Sequence, residues 1–440
     1  MTHITAHEWA SVYVHDGPGD APEGWFTRGQ ANALVAAARV HPMGGKDGSA
    51  IVEDRHNYLR LKQMVGVISA RGCSLEILPK IDPDEQVTNV TIRGRLVSML
   101  EIALGLKIGL GMSANIARQS DSLLEIIVRH FADSLLVEAR RGLPRRYLPH
   151  EEDLPKLRGR LNVRRQFTTL AVRSDRLASQ FDALSNDIPL LQIMSATVRI
   201  LMKHTKNQET LRRLGELRFL LSEVSEVPIS TLPWKLVHIN RTNHRWQSLL
   251  DIARRFLKRD WQATHTDSKA TEGLSLLFPV NDLFESYVEA LLKKAAIGTG
   301  LQIKSQGGRK YCLTEEDDQS SSYFQTKPDL LVMADGQVMS VIDTKWKRLS
   351  PASEDAKQGV SQGDVYQMMA YARLYGCSDL TLLYPYHDGL KEDDLQRHFR
   401  LNGDKGQEKL SISALDITGS PDDVVAALHQ MFLPKVSQAV

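Results

Sequence analysis

Apolar residues run through 328–333 and again through 338–345, with Ala334-Asp335-Gly336-Gln337 between them. Two β-type runs around Asp-Gly predict a hairpin, because that pair suits a tight turn with positive φ at both centres. Around it the pattern predicts further elements. A short helix is expected at 29–40, followed by strands at 58–63, 65–70 and 74–78. Leu123, Leu124, Ile127, Val128, Phe131, Leu135 and Leu136 recur at helical spacing, and Gly142 with Pro144 ends that helix. More helices are expected at 189–201, 208–224 and 245–258. Asn186 and Asp187 stand where they could cap the first of these. Another helix opens at 281–289 with Leu283, Phe284, Tyr287 and Val288 on its apolar side. Past the hairpin, Asp364 starts a helix over 364–375, Gln367 completes a cap-like pair, and Gly376 stops it. A strand follows at 380–384, then strands near 399–401 and 409–413. A closing helix at 422–432 is capped by Ser420-Pro421.

This order makes the chain multi-domain α/β (α+β). A small β-rich domain spans 1–90, a mainly helical region 91–265, and a domain with a central mixed sheet flanked by helices 266–440. The 440 residues suffice for several cores, and 42% hydrophobic with 25% charged residues is an ordinary globular balance. Cys73, Cys312 and Cys377 lie far apart, so no disulfide framework or zinc motif is indicated and a reducing cytoplasm is expected. The first residues show neither a basic start nor an apolar stretch, and the apolar segment 96–111 holds Glu101 and Lys107. Neither a signal peptide nor a membrane span is expected.

Net charge is only +2, so nucleic-acid contact would need local patches. One exists: between Arg140 and Arg176, eleven Arg or Lys face four acids, a net of +7. Arg254-Arg255 and Lys258-Arg259 add a second cluster. Such patches suit a DNA backbone, an acidic partner face, or simply a solvated surface. The loop 41–50 fails as a phosphate loop, since Lys46 is followed by Asp47 and the upstream glycine is missing. No nucleotide site is expected in this chain.

The hairpin carries the chemistry. Asp329 begins its first run, and Asp343 and Lys345 end the second, two apart and so on one strand face. Buried acid and base on an apolar strand demand partners; a divalent cation and a phosphate would serve both. Two carboxylates suit Mg²⁺, with Mn²⁺ as its substitute, since a hard cation takes oxygen donors and keeps waters. A strict two-residue turn would set Asp329 opposite Ile342, on the wrong face. A bulge or an odd-length loop is therefore expected, to bring Asp329 opposite Asp343.

Pro328-Asp329 with Asp343-Thr344-Lys345 resembles the PD-(D/E)xK nuclease superfamily. Gln367 and Tyr371, one helical turn apart, resemble the helix after the hairpin in its RecB-like members. The resemblance implies a restriction-endonuclease-like fold at 266–440, metal held by Asp329, Asp343 and Thr344, and Lys345 assisting the attacking water. It also implies support from Gln367 and Tyr371, and a further acid at Glu285, preferred over Glu289. Leu75-Glu76-Ile77-Leu78-Pro79-Lys80-Ile81, Glu151-Glu152-Asp153-Leu154-Pro155-Lys156-Leu157-Arg158-Gly159-Arg160-Leu161 and Leu283-Phe284-Glu285 are similar to segments of the McrC family of modification-dependent restriction systems. That similarity, over roughly 55–390, implies a Mg²⁺-dependent DNA endonuclease subunit. Its implied partner is an AAA+ GTPase ring resembling McrB, whose GTP hydrolysis it stimulates and whose β-rich docking surface would be 1–90. The implied substrate is double-stranded DNA with modified cytosine such as 5-methylcytosine. Two alternatives stand: an idle nuclease-like scaffold that only activates the ring, and a stand-alone RecB-like repair nuclease.

Overall fold

The computed structural model describes residues 2–70, 72–80, 88–105, 122–205, 207–257, 275–316, 321–402 and 408–433. Ile81, most of the apolar run past 105, and Lys258-Arg259 lie outside them. The described chain groups into two compact units, Met1–Leu123 with Lys269–Val440, and Leu124–Ser268. This differs from the expected division at 1–90, 91–265 and 266–440, and the reason is strand pairing across the chain. Ser275–Pro279 pairs antiparallel with Met64–Ala70, so the segment leading into the C-terminal region completes the N-terminal sheet. Helix Asn89–Ala103 also packs against helix Val280–Ala295.

In the first unit, one four-stranded sheet runs in the order Thr2–His7, Cys73–Leu78, Met64–Ala70, Ser275–Pro279. Met64–Ala70 and Cys73–Leu78 are buried along their whole length. A smaller sheet of Phe26–Thr27, Ser11–His15, Tyr58–Leu61 and Val52–Asp54 shares its core with helix Arg28–Val40 through Phe26, Leu34, Leu59 and Ile68. The loop over 41–50 is a series of turns, with Met43 packed on that core.

The second sheet system of this unit has six strands in the order Gln302–Ser305, Leu330–Ala334, Gln337–Thr344, Asp379–Pro385, Lys409–Leu415, Gln396–Arg400. The three central strands, Gln337–Thr344, Asp379–Pro385 and Lys409–Leu415, are mutually parallel, and the outer pairings are antiparallel. A parallel pair needs a crossover, which helix Gln362–Tyr375 supplies between the first two. Its cap is Ser361, whose hydroxyl accepts from the Asp364 amide while Asp364 accepts from the Ser361 amide. The helix thus starts two residues before the expected Asp364, which is the third residue of a capping box. Gly376 ends it at φ 63°, a left-handed position that glycine takes without steric cost. Met368 and Tyr371 pack with Leu331, Val341, Leu380 and Ile412. Helix Pro421–Phe432 begins as expected, with Ser420 and Asp423 forming a capping box and Pro421 in its first turn.

The second unit is not simply helical. Helices Pro189–His204, Gln208–Leu220 and Gln247–Leu257 match the periodic pattern, but Arg146–Leu154, Leu177–Ser185 and Arg160–Leu161 form an antiparallel sheet. Arg146–Leu154 is mostly exposed, so it lacks the apolar alternation that announces a half-buried strand. Gly159, at φ 73°, must be glycine: a Cβ there would lie 2.3 Å from the Gln180 carbonyl oxygen. Four of the eleven basic residues, Arg146, Arg160, Arg164 and Arg165, stand on this sheet and the short helix Val163–Thr168, where Arg165 pairs with Asp153, and Arg158 lies over the Phe181 ring from a loop. Asp187 does not cap the following helix. It accepts instead from Gln192 and from the Ser225 amide and hydroxyl, tying two loops together.

Glu76, fully buried within the Leu75–Pro79 segment, is the main polar tie of the first unit. It accepts from Arg93 Nε at 2.7 Å, from Arg93 NH2 at 2.6 Å, from Thr5 Oγ1 at 2.8 Å and from the Leu123 amide at 3.0 Å. Burial alone would raise its pKa, but Arg93 and the other donors hold the carboxyl below its ordinary value. Its stabilising charge is therefore present above the ordinary carboxylate range and lost on acidification through the lowered value. Glu76→Ala is expected to cost about 3–5 kcal/mol in urea unfolding, because it strands the buried Arg93 charge. The double substitution Glu76→Leu/Arg93→Met is expected to cost less than Glu76→Leu alone.

Candidate active site

Residue order alone does not bring Asp329 to Asp343. The turn is the tight Asp335-Gly336 pair, at φ 48° and 80°, and Ala334 faces Gln337. Between Val332 and Met333 the register shifts: Met333 faces Val338 while Val332 faces Ser340, so Met339 is an extra residue. From there inward Leu331 faces Val341 and Leu330 faces Ile342, which sets Asp329 opposite Asp343 one step on. The expected bulge is present, and it turns both acids to the face that carries helix Gln362–Tyr375.

Each acid is held by different partners. Asp329 Oδ2 accepts from the Thr344 amide and hydroxyl, both at 2.8 Å, so Thr344 orients the carboxylate across the hairpin. Asp343 is 1% exposed, and its Oδ2 lies 2.6 Å from Lys345 Nζ. Lys345 Nζ also donates to Gln367 Oε1 at 3.3 Å and lies 3.7 Å from Asp364. Gln367 in turn donates to the Tyr371 hydroxyl at 2.7 Å. Tyr371 is buried against Tyr375, so it supports the lysine from the core and offers no surface to a substrate. Of the two glutamates on helix Val280–Ala295, Glu285 belongs to the site: it accepts from Gln306 Nε2 at 2.9 Å and feels the Asp329 charge. Glu289 is turned to Lys293 and Ser305.

Several carboxyls gather around the Lys345 ammonium, and the Lys327 charge also reaches Asp329 and Glu285. Burial first, and the Asp329 charge second, push Asp343 up to about 6 against the pull of Lys345. Burial and then Asp329 push Glu285 up to about 7. Asp329 is raised too, since burial outweighs the two Thr344 hydrogen bonds. Burial would lower Lys345, but the Asp343 charge overrides it and the ammonium is held above its ordinary value. Four carboxyls, those of Asp329, Asp343, Asp364 and Glu285, thus share the ammonium groups of Lys345 and Lys327.

That imbalance fits a divalent cation. Among the described residues no three His, Cys, Asp or Glu side chains form a ready-made cage. The donor set here is a pair of facing carboxylates with a third acid nearby, which matches an ion that keeps much of its water. Reading the sequence missed Asp364 as a site group and Gln306 as the partner of Glu285. Asp364 had a visible signal, since it lies three residues before Gln367 and so shares its helix face. Gln306 had none, because it meets Glu285 only through tertiary folding.

Comparison with known proteins follows the same lines. The family model of the McrBC 5-methylcytosine restriction system component matches residues 59–385. The type IV methyl-directed restriction enzyme EcoKMcrBC of Escherichia coli (strain K12) is 30% identical over 92 residues, 21% of this chain and 26% of that relative, so the match spans only about a quarter of the relative. A chain of the refined half-complex from the tetradecameric assembly of Thermococcus gammatolerans McrB AAA+ hexamers with bound McrC is similar in structure. Its TM-score is 0.70 at 19% identity, over 98% of this chain and 100% of that one. A chain of the cryo-EM structure of the Thermococcus gammatolerans McrBC complex gives a TM-score of 0.52 at 22% identity, over 67% of this chain and 88% of that one. At such identities the structural likeness is one of fold. The family match takes in three of the four strands of the N-terminal sheet, the acid-bearing hairpin and the helix behind it, and the chain belongs to the McrBC 5-methylcytosine restriction system component family.

Proposed function

We propose that this chain is the metal-dependent endonuclease subunit of a McrBC-like modification-dependent restriction system. It cuts DNA when assembled with an AAA+ GTPase ring, whose GTP hydrolysis it stimulates. The observation that carries the reading is the convergence of Asp329, Asp343 and Lys345 at one end of a mixed sheet, in a chain of this family. The Escherichia coli relative is a methyl-directed restriction enzyme, and the similar structures are of McrB AAA+ hexamers with bound McrC and of a McrBC complex. They support modified-cytosine DNA and an AAA+ ring as substrate and partner of this chain.

Asp329, Asp343 and Thr344 would hold Mg²⁺ or Mn²⁺, with Glu285 in reserve, and Thr344 also fixes the Asp329 carboxylate. A bound Mg²⁺ would polarise the phosphoryl oxygen and acidify a water. Lys345, charged and anchored by Asp343 and Gln367, stands where it can orient the attacking water or offset charge growing on the phosphate. Tyr371 and Gln367 hold that ammonium in place, so its orientation is set before substrate arrives. An idle scaffold would need none of this convergence.

Asp343→Asn is expected to abolish cleavage of 5-methylcytosine plasmid by the assembled complex while ring binding and stimulation of GTP hydrolysis persist. A variant that still cuts would overturn the assignment. Lys345→Ala is expected to keep Mn²⁺ binding in calorimetry yet lose about 10²–10³-fold in kcat, because it removes charge stabilisation rather than a ligand.

The raised acids set a pH dependence. Asp343 near 6 and Glu285 near 7 hold protons more tightly folded than unfolded. The stability they lend is full below the ordinary carboxylate range and is lost as pH rises through those two values. Metal-free protein is therefore expected to lose melting temperature across that window, with Mg²⁺ restoring it. Mg²⁺ titration in buffers of different ionisation enthalpy is expected to show proton release near about pH 6 that fades by about pH 8. PH-independent binding without proton release would count against carboxylate ligation by these acids.

A further inference from the structure

The polypeptide leaves the six-stranded sheet at Lys345, whose amide still donates to the Leu383 carbonyl at 2.8 Å. The next residue, Trp346, is 7% exposed and is held by groups from the far end of the sequence. Its indole Nε1 donates to Glu8 Oε1 at 2.7 Å, and its carbonyl accepts from Gln63 Nε2 at 3.1 Å. Gln63 Nε2 also donates to Asn281 Oδ1 at 3.0 Å, at the start of the helix that carries Glu285. The Trp346 ring meets Phe284, the residue before Glu285, edge-on at 5.4 Å.

Glu8 is 3% exposed and follows the first strand of the N-terminal sheet. Oε1 also accepts from the Lys80 amide at 3.0 Å, while Oε2 has no hydrogen-bond partner among the described residues. Burial pushes its carboxyl up, against the Trp346 and Lys80 hydrogen bonds. A buried carboxylate with one idle oxygen is a costly way to fill a core. What it does here is anchor one indole, and that indole is covalently next to the lysine of the site.

We infer that Glu8 and Gln63 are positioning residues for the proposed nuclease centre: through Trp346 they fix the backbone that sets Lys345 against Asp343, and through Phe284 and Asn281 they tie the Glu285 helix to the same point. The inference rests on the nuclease reading of the site. Its physical content is that the N-terminal sheet is part of the catalytic scaffold, so the C-terminal region alone lacks one wall of its lysine's support. A displacement of about 1 Å in a reacting group can cost on the order of 100-fold in rate.

The test uses the full chain with its AAA+ partner, Mg²⁺ and 5-methylcytosine plasmid. Glu8→Ala and Trp346→Phe are expected to lower kcat about ten- to a hundredfold with KM for DNA nearly unchanged. Glu8→Gln, which keeps an acceptor oxygen for the indole, is expected to restore most of the rate. In the metal-free chain, the Trp346 indole N–H resonance is expected to move in Glu8→Ala and to stay in place in Glu8→Gln. Should Glu8→Ala fail to fold, Trp346→Phe decides, since it keeps the ring against Phe284 and leaves the Glu8–Lys80 bond intact. Normal kcat in Trp346→Phe, or Glu8→Gln as slow as Glu8→Ala, overturns the inference. If Asp343→Asn cuts at the wild-type rate, the nuclease assignment falls and this inference with it. If Asp343→Asn is dead while Trp346→Phe cuts normally, the positioning role alone is refuted.

Discussion

Asp343 lies almost without solvent at the end of a central strand, and a carboxylate so placed must be neutralised or protonated. Lys345, two residues further on and just past the strand's end, supplies a charge at 2.6 Å. Much of the site follows from that pair. Gln367 and Tyr371 serve to hold the ammonium, Asp329 is brought opposite by the Met339 bulge, and Thr344 spends its amide and hydroxyl on Asp329. Lys345, even with Lys327 acting on Asp329 and Glu285, does not balance Asp329, Asp343, Asp364 and Glu285 together. Burial raises Asp329, Asp343 and Glu285 above their ordinary values, and the Asp329 charge adds to it at Asp343 and Glu285; a hard divalent cation would relieve both.

The same economy appears in the N-terminal sheet. Glu76 is buried as deeply as Asp343, yet its pKa is lowered rather than raised. The difference is the number of donors: Arg93, Thr5 and the Leu123 amide saturate Glu76, whereas Asp343 shares one ammonium with neighbouring acids. A saturated buried carboxylate is a structural tie, whereas an undersaturated one still has a free oxygen that a cation would satisfy. Glu8 lies between these cases, with one oxygen engaged and one idle, and its engaged oxygen points the N-terminal sheet at Trp346.

The two-unit organisation has its own consequence. Residues 124–268 form a separate unit, which contains the basic segment 140–176. The acid-bearing centre lies wholly in the other unit. Its two sequence-distant parts are joined by the pairing of Ser275–Pro279 with Met64–Ala70 and by the contacts of Gln63 and Glu8 with Trp346.

The grouping of these side chains was legible in the chain because it depends on residue type and local period. Asp343 and Lys345 share a face by the twofold repeat of a strand, Asp335-Gly336 announces the turn, and Gln367 and Tyr371 share a face by the helical repeat. Glu285 could be preferred over Glu289 only by resemblance; burial beside Asp329 then distinguished them. Tertiary structure alone decided the rest. Met339 could be required as a bulge somewhere but not located, since any residue of the hairpin could have been the extra one. Exposed, charge-rich strands such as Arg146–Leu154 carry no apolar alternation and so passed for helix-linked surface. Contacts between Gln306 and Glu285, and between Glu8 and Trp346, join residues 21 and 338 positions apart through folding alone, and no local pattern records them.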